Sequence, residues 1–131
     1  MKWGISLLLS FFMYSQVALA SSVIPLEVSG TQTNSIQRLS YNFGRVMVHS
    51  ISQVIFRVSN TGTADIQRER FSMSGADFRA YTDCPVIMPP HESCSLKIVY
   101  TPMTVGSDYG QMQMIFNDSG IVIDLYGQSY Q

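Results

Sequence analysis

The segment from Cys84 to Pro102 constrains the fold more than any other part of this 131-residue chain. It contains two cysteines, a turn rich in proline and polar residues between them, and then apolar residues at every second position. Because a period of two places alternate side chains on one face of a sheet, this pattern is typical of a half-buried strand and not of a helix. The segment therefore predicts a turn followed by a strand, and it does not indicate a ligand.

The first 20 residues have the organisation of a secretory signal peptide. Lys2 provides a basic start, residues 5–14 form a short apolar run, and Ala18-Leu19-Ala20 supplies small residues at the positions that a signal peptidase reads. We predict cleavage after Ala20 and an exported protein, located in the periplasm, outside the cell or at the cell surface. An uncleaved anchor is the alternative, although a membrane span needs about 20 mainly apolar residues.

The charge balance of the mature chain excludes one large class of partner. Loss of Lys2 leaves seven basic and nine acidic residues, a net charge of −2. A nucleic-acid binder needs clustered positive charge to neutralise phosphates, so nucleic acid is not an expected partner. The 111 residues that remain after cleavage are enough for one domain but not for two.

Cys84 and Cys94 are the only cysteines of the chain. In an exported protein two cysteines most simply pair with each other, and closing this loop is worth roughly 2.5 to 3 kcal/mol in the chain-entropy model. The alternative is a redox or metal site. Because the pair lacks CxxC spacing and only His49 and His91 are present to complete a ligand set, we expect a structural disulfide and assign no metal and no cofactor.

Alternating apolar residues recur beyond the first segment and predict the architecture. The clearest sets are Val54, Phe56 and Val58; Leu96, Ile98 and Tyr100; Met112, Met114 and Phe116; and Ile121, Ile123 and Leu125. The residues 117–120 between the last two sets read as a hairpin connection. Seven to eight short strands at this spacing predict an all-β fold, a single immunoglobulin-like antiparallel β-sandwich with one intrachain disulfide.

Short motifs follow one another in a fixed order along the chain. They are Tyr41-Asn42-Phe43-Gly44-Arg45-Val46, Phe56-Arg57-Val58-Ser59-Asn60-Thr61-Gly62, Cys84-Pro85, Pro90-His91-Glu92-Ser93-Cys94, Tyr100-Thr101-Pro102, Gly106, Tyr109-Gly110 and Leu125-Tyr126-Gly127. In this order and spacing the chain resembles the ASH/Hydin-type domain, whose bacterial relatives are often labelled choice-of-anchor D domains. The resemblance covers roughly residues 38 to 129.

The resemblance implies an immunoglobulin-like sandwich akin to the major sperm protein and pilus chaperone folds, used for binding or scaffolding and not for catalysis. It maps the family's cysteine pair onto Cys84 and Cys94, its strand-ending aromatic-x-Pro onto residues 100–102, and its closing glycine onto Gly127. Many relatives carry glycine where this chain has His91, which puts the backbone angle of that turn in question.

A second departure from the family pattern lies at residues 65–70. The family usually alternates apolar residues there, and this chain places Arg68 at an apolar position. Charged residues on a strand protect a sheet edge from pairing with other chains. Alternatively, Arg68 and Arg70 form a partner-binding patch whose forked donors bind a carboxylate or phosphate. Both interpretations stay open at this point.

Residues 21–37 precede the sandwich domain predicted for residues 38–131. Their apolar residues between Val23 and Val28 predict a strand that either packs on its own sandwich or adds to the sheet edge of another molecule.

Neither histidine lies in a recognisable nucleophile motif, so no catalytic residue is assigned. We expect an exported, non-enzymatic protein-binding or scaffolding module of the cell envelope or cell surface. The alternatives are a structural subunit that forms homo-oligomers by β-strand exchange and a periplasmic chaperone-like accessory factor.

Overall fold

The computed structural model describes residues 23–29 and 35–131, so the predicted signal peptide of residues 1–20 lies outside the described residues. Within the two described ranges the chain forms nine strands and no helix. The strands are β1 (Val23–Val28), β2 (Ser35–Met47), β3 (Ser52–Asn60), β4 (Ile66–Ser74), β5 (Phe78–Thr82), β6 (Ile87–Met88), β7 (Ser93–Tyr100), β8 (Gly106–Phe116) and β9 (Ser119–Tyr130). No helix in this part of the chain is long and apolar enough to cross a membrane.

The strands pack as two sheets, which confirms the predicted all-β sandwich. Sheet 1 has the order β1-β3-β7-β5 and sheet 2 the order β2-β9-β8-β4-β6. Most neighbours are antiparallel, but β1 runs parallel to β3 and β2 runs parallel to β9. The described strands number nine and include the two-residue β6, which is too short for an alternating pattern to reveal.

The core lies between the two sheets and is made of the residues that the alternation predicts. Every member of the four alternating sets is buried, and burial of each such side chain stabilises the fold by about 1.5–3 kcal/mol. The Tyr100 ring stacks on Phe78, with ring centroids 4.7 Å apart. A Cβ on Gly127 would overlap the Tyr100 ring, so only glycine fits there. This contact explains why an aromatic residue and a closing glycine occur in the same motif set.

A buried asparagine holds the loop after β3 in place. The Asn60 amide donates to the carbonyl oxygens of Ala64 and Met88 at 2.9 and 3.0 Å, and its side-chain oxygen accepts the Gly62 N–H at 3.0 Å. A buried amide needs such partners, because an unpaired polar group inside a protein is costly. The motif around Asn60 therefore ties β3 to β6 in the opposite sheet.

The predicted disulfide is confirmed and lies beside a strained turn. Cys84 and Cys94 are bonded, with Cα atoms 4.9 Å apart, and link the segment after β5 to the start of β7. In the turn before β7, His91 has a φ of 69°, in the left-handed region that favours glycine. The His91 N–H donates to the Asn60 carbonyl oxygen at 2.7 Å. The position where many relatives carry glycine thus has the backbone angle that glycine tolerates best.

The strand predicted near the start of the mature chain forms and packs on its own sandwich. β1 pairs with β3 along six residues, and its Leu26 and Val28 side chains are buried in the core. β2 begins at Ser35, three residues before the predicted start of the sandwich domain at residue 38.

Candidate partner-binding surface

The outer face of sheet 2 presents the most organised set of exposed side chains in the described sandwich. Along residues 109–114 of β8 and 123–126 of β9, buried residues alternate with polar and aromatic residues, which therefore point to the outer side of the sheet. Strand pairing places these side chains beside those of β2 and β4. We call this surface the tyrosine face, and it consists of Arg38, Arg70, Tyr109, Gln111, Gln113, Asp124 and Tyr126.

Asp124 is the centre of the tyrosine face. Its carboxylate accepts hydrogen bonds from Arg38 Nε at 3.2 Å, from the Tyr109 hydroxyl at 3.0 Å and from Gln111 Nε2 at 2.9 Å. The bond from Gln111 is the largest cause that lowers the pKa of Asp124 below its usual value, and the bond to Asp124 raises the pKa of Tyr109. At neutral pH the carboxylate is therefore charged and the phenol is protonated, so the hydrogen bonds persist.

The hydrogen bonds continue from Asp124 across the sheet. Gln113 Nε2 donates to Gln111 Oε1 at 2.9 Å, and Arg70 Nη1 donates to Gln113 Oε1 at 3.3 Å. Side chains from β2, β9, β8 and β4 are thereby joined in one network. Because these side chains are already held in the free protein, less rotamer entropy is lost when a partner binds to them.

Two tyrosines project from this network into solvent. Tyr109 is 54% exposed and Tyr126 is 44% exposed, and their ring centroids lie 5.3 Å apart. Next to Tyr126 is a hollow of about 410 Å³. It borders the bulge in β2, where Gly44 has a φ of 78° and donates its N–H to the Asn42 side-chain oxygen at 2.8 Å. The surface thus combines exposed aromatic area with a concave margin.

The two arginines predicted as a partner-binding patch have different surroundings. A bulge between them interrupts the pairing of β4 with β8. Arg68 is half-buried, and its Nη1 donates to the Cys84 carbonyl oxygen at 2.8 Å, with its guanidinium carbon 5.8 Å from the Phe71 ring centroid. Arg70 is exposed and belongs to the tyrosine face. Edge protection and partner binding by this pair both remain predictions.

The disulfide region does not offer a metal site. Ligand atoms of Asp83, Cys84 and Cys94 lie within 4.8 Å of one another. Both sulfurs are bonded to each other, and metal ligation requires a free thiolate. The Asp83 carboxylate is also engaged, because it accepts the Ser95 N–H at 2.7 Å.

Sequence reasoning did not identify Arg38, Gln111 or Asp124 as members of a surface site. The alternation of Met112 and Met114 with glutamines does assign Tyr109 to the outward side of β8, and this signal was available in the sequence. No local signal brings Arg38 to Asp124, because 86 positions separate them and only the parallel pairing of β2 with β9 places them together.

Three solved structures share this fold at low sequence identity. The VesB protease of Vibrio cholerae matches with a TM-score of 0.59 and 14% identity, over 72% of this chain and 30% of its own. VesC, a secreted serine protease of the same organism, matches with a TM-score of 0.53 and 15% identity, over 67% of this chain and 21% of its own. The chain therefore spans less than a third of either protease. The human CEP192 ASH/PapD-like domain 7 matches with a TM-score of 0.52 and 16% identity, over 70% of this chain and 81% of its own.

At these identities the structures show a common fold and nothing further. No curated protein sequence matches this chain significantly. The family described as the HYDIN/CFA65/VesB-like, Ig-like domain matches residues 35–128. The ASH/Hydin-type resemblance predicted from the motifs is thus confirmed, and the chain belongs to the HYDIN/CFA65/VesB-like family of Ig-like domains.

Proposed function

We propose that this chain is an exported, non-enzymatic protein-binding module of the cell envelope or cell surface, and that the tyrosine face is its docking surface. Ig-like domains of this kind are generally protein-interaction modules and are generally non-catalytic. The two proteases share only part of their length with this chain, so their activity is not carried over to it.

The observation that supports the docking surface most strongly is the exposed pair Tyr109 and Tyr126 above the Asp124 network. Tyrosine is enriched at protein interfaces because its ring buries apolar area while its hydroxyl keeps a polar partner. Arginine is another residue type that is enriched there, and Arg38 on β2 and Arg70 on β4 form the two ends of the hydrogen-bond network. A protein surface with exposed carboxylates and apolar side chains would match this composition.

Three observations support export and an extracytoplasmic partner. The sequence pattern of residues 1–20 predicts a signal peptide, the chain contains a disulfide, and VesC is a secreted protein. Disulfides persist in oxidising compartments and are rare in the cytosol. Strand exchange through β1 has less support, because Leu26 and Val28 are already buried in their own sandwich.

The test has two stages. Crosslinking and mass spectrometry of the native protein in its envelope fraction would identify the partner, and the Tyr109→Ser/Tyr126→Ser variant would then be compared with the unaltered protein for binding to it. We expect the double variant to bind at least about tenfold more weakly, because truncating an interface aromatic usually costs more than 1 kcal/mol. Its thermal unfolding should be nearly unchanged, since both side chains are exposed.

Val86→Ser is the control, because Val86 is 53% exposed and lies between β5 and β6, outside the tyrosine face. It should bind the partner as the unaltered protein does. Equal binding by the double variant, or a loss of binding in the control alone, would show that the tyrosine face is not the docking surface.

A further inference from the structure

Three of the four sheet edges of the described sandwich have features that prevent the addition of a further strand. The β1 edge contains Pro25, and the β2 edge is interrupted by the bulge after Asn42. On the remaining edge of sheet 2, β4 is bulged after Arg68, and the two-residue β6 is followed directly by Pro89. Prolines, bulges and very short strands are devices that block edge-to-edge pairing.

The fourth edge, formed by β5, has no proline and no bulge. Its five residues, Phe78–Thr82, pair in unbroken register with β7. No other described strand pairs with β5. The edge therefore differs from the other three in being regular and open.

The backbone of β5 directs hydrogen-bonding groups to this open side. The Asp77 carbonyl accepts the Thr101 N–H at 2.9 Å, and the Asp83 N–H donates to the Ser95 carbonyl at 3.3 Å. In an antiparallel pair the residues that face the neighbouring strand alternate with residues that face away. Asp77 and Asp83 therefore face β7, and Ala80 is three positions from each of them. Because three is an odd number, the N–H and C=O of Ala80 point away from β7.

A hollow beside this edge provides room for side chains of an added strand. It has a volume of about 400 Å³ and is lined on its inner side by Met73, Phe78 and Ala80. Arg79 and Tyr81 are exposed on the outer side of β5. An added strand would place alternate side chains in the hollow and the others beside Arg79 and Tyr81.

Two simple ways of pairing β5 with a second copy of the chain are opposed by its charges. Antiparallel pairing centred on Ala80 would place Asp77 opposite Asp83 twice, and in-register parallel pairing would place Arg79 opposite Arg79. Like charges directly opposite each other destabilise a strand pair. A strand from a different protein with an acidic residue opposite Arg79 would instead form a favourable pair.

We propose that β5 is a strand-addition site that binds an extended segment of a different protein, with apolar residues at alternate positions and an acidic residue that faces Arg79. Backbone hydrogen bonds to Ala80 provide affinity, while the hollow and Arg79 provide selectivity. The site lies on sheet 1 and does not depend on the tyrosine face.

Two synthetic peptides that differ at one position test this proposal: acetyl-Val-Thr-Val-Glu-Val-Thr-Val-amide and the same peptide with lysine at its centre. Backbone amide exchange and peptide affinity are measured by NMR on the ¹⁵N-labelled mature chain. At a peptide concentration ten times the Kd, we expect exchange of the Ala80 and Thr82 amides to slow about tenfold. The glutamate peptide should bind about threefold more tightly than the lysine peptide, the selectivity that an exposed ion pair gives.

Variants separate backbone pairing from charge. Ala80→Pro removes the outward N–H without removing a bond to β7, and should abolish binding of both peptides. Arg79→Glu, at an exposed position that leaves the fold intact, should reverse the preference in favour of the lysine peptide. The Tyr109→Ser/Tyr126→Ser variant should bind both peptides normally, so the failure of one site is distinguishable from the failure of the other.

Three results would overturn the proposal: no slowing of exchange at Ala80 and Thr82 with either peptide, slowing confined to the β1 or β2 edge, or an unchanged preference in the Arg79→Glu variant. A dimer in sedimentation whose interface protects β5 would also overturn it, because the occupant would then be a second copy.

Discussion

His91 adopts a left-handed backbone conformation, with φ at 69°, in an exposed turn. That conformation costs an L-residue roughly 1–2 kcal/mol, and histidine falls at the lower end because it is enriched there. Glycine would remove this cost but would add conformational entropy to the unfolded chain. We expect His91→Gly to raise the free energy of unfolding by about 0.5 kcal/mol, measured as a higher urea midpoint.

Glu92→Gly is the matched control for this prediction. Glu92 is also exposed, but among the described non-glycine residues only His49 and His91 have a positive φ. The control should therefore lower the free energy of unfolding by about 0.5–1 kcal/mol. Glycine at this position relieves no backbone strain and only increases the conformational entropy of the unfolded chain. If His91→Gly is as destabilising as Glu92→Gly, the turn is not strained at His91.

Within β4, the two arginines on either side of the bulge, Arg68 and Arg70, have different surroundings and hydrogen-bond partners. Arg68 is half-buried and donates to the Cys84 carbonyl, whereas Arg70 bonds an exposed network. We expect Arg68→Ser to lower the free energy of unfolding by about 1 kcal/mol, because a hydrogen bond from a charged group is lost and the carbonyl is left without it. Arg70→Ser should change it by less than about 0.5 kcal/mol.

Chemical unfolding of the two single variants measures this difference, and binding to the identified partner completes the test. Weaker binding by Arg70→Ser with unchanged stability would support partner recognition. Aggregation of the Arg68→Ser/Arg70→Ser double variant with unchanged partner binding would support edge protection instead. Equal stability losses in the two single variants would contradict the contacts seen around the bulge.

Alternation correctly predicts which side chains of β3, β7, β8 and β9 face the core. The reason is that their pairing with one another is not bulged, so every second side chain lies on the same face. It fails on β4, where the extra residue after Arg68 shifts the phase and brings Phe71 and Met73 against the core. No residue type marks that bulge in the sequence.

The tyrosine face was only partly predictable for a related reason. Its members come together through the strand order β2-β9-β8-β4, and that order depends on pairing between segments far apart in the sequence.

In the molecule as a whole, β1 is the element whose position decides between a self-contained domain and a strand-exchanging subunit. The structure places β1 parallel to β3 of the same chain, with Leu26 and Val28 in the core. Parallel strands are joined by a long connection and not by a tight hairpin. If that connection led to a neighbouring molecule, β1 would make the same contacts with the β3 of that molecule. Stability measurements alone would not distinguish the two arrangements, whereas a covalent trap across the β1–β3 pair would.

Glu27 and Ser59 are register partners in this pair, and both side chains lie on the outer side of sheet 1. Paired positions in neighbouring strands fall within the Cα separation that a disulfide spans, about 4.4–6.8 Å. We expect the Glu27→Cys/Ser59→Cys variant, oxidised at micromolar concentration, to form an additional bond within one chain and to migrate as a monomer on a non-reducing gel. Either single variant serves as the control, because one new cysteine has no partner within the chain. A covalent dimer that forms only in the double variant would place β1 in a second molecule and restore strand exchange as the mode of assembly.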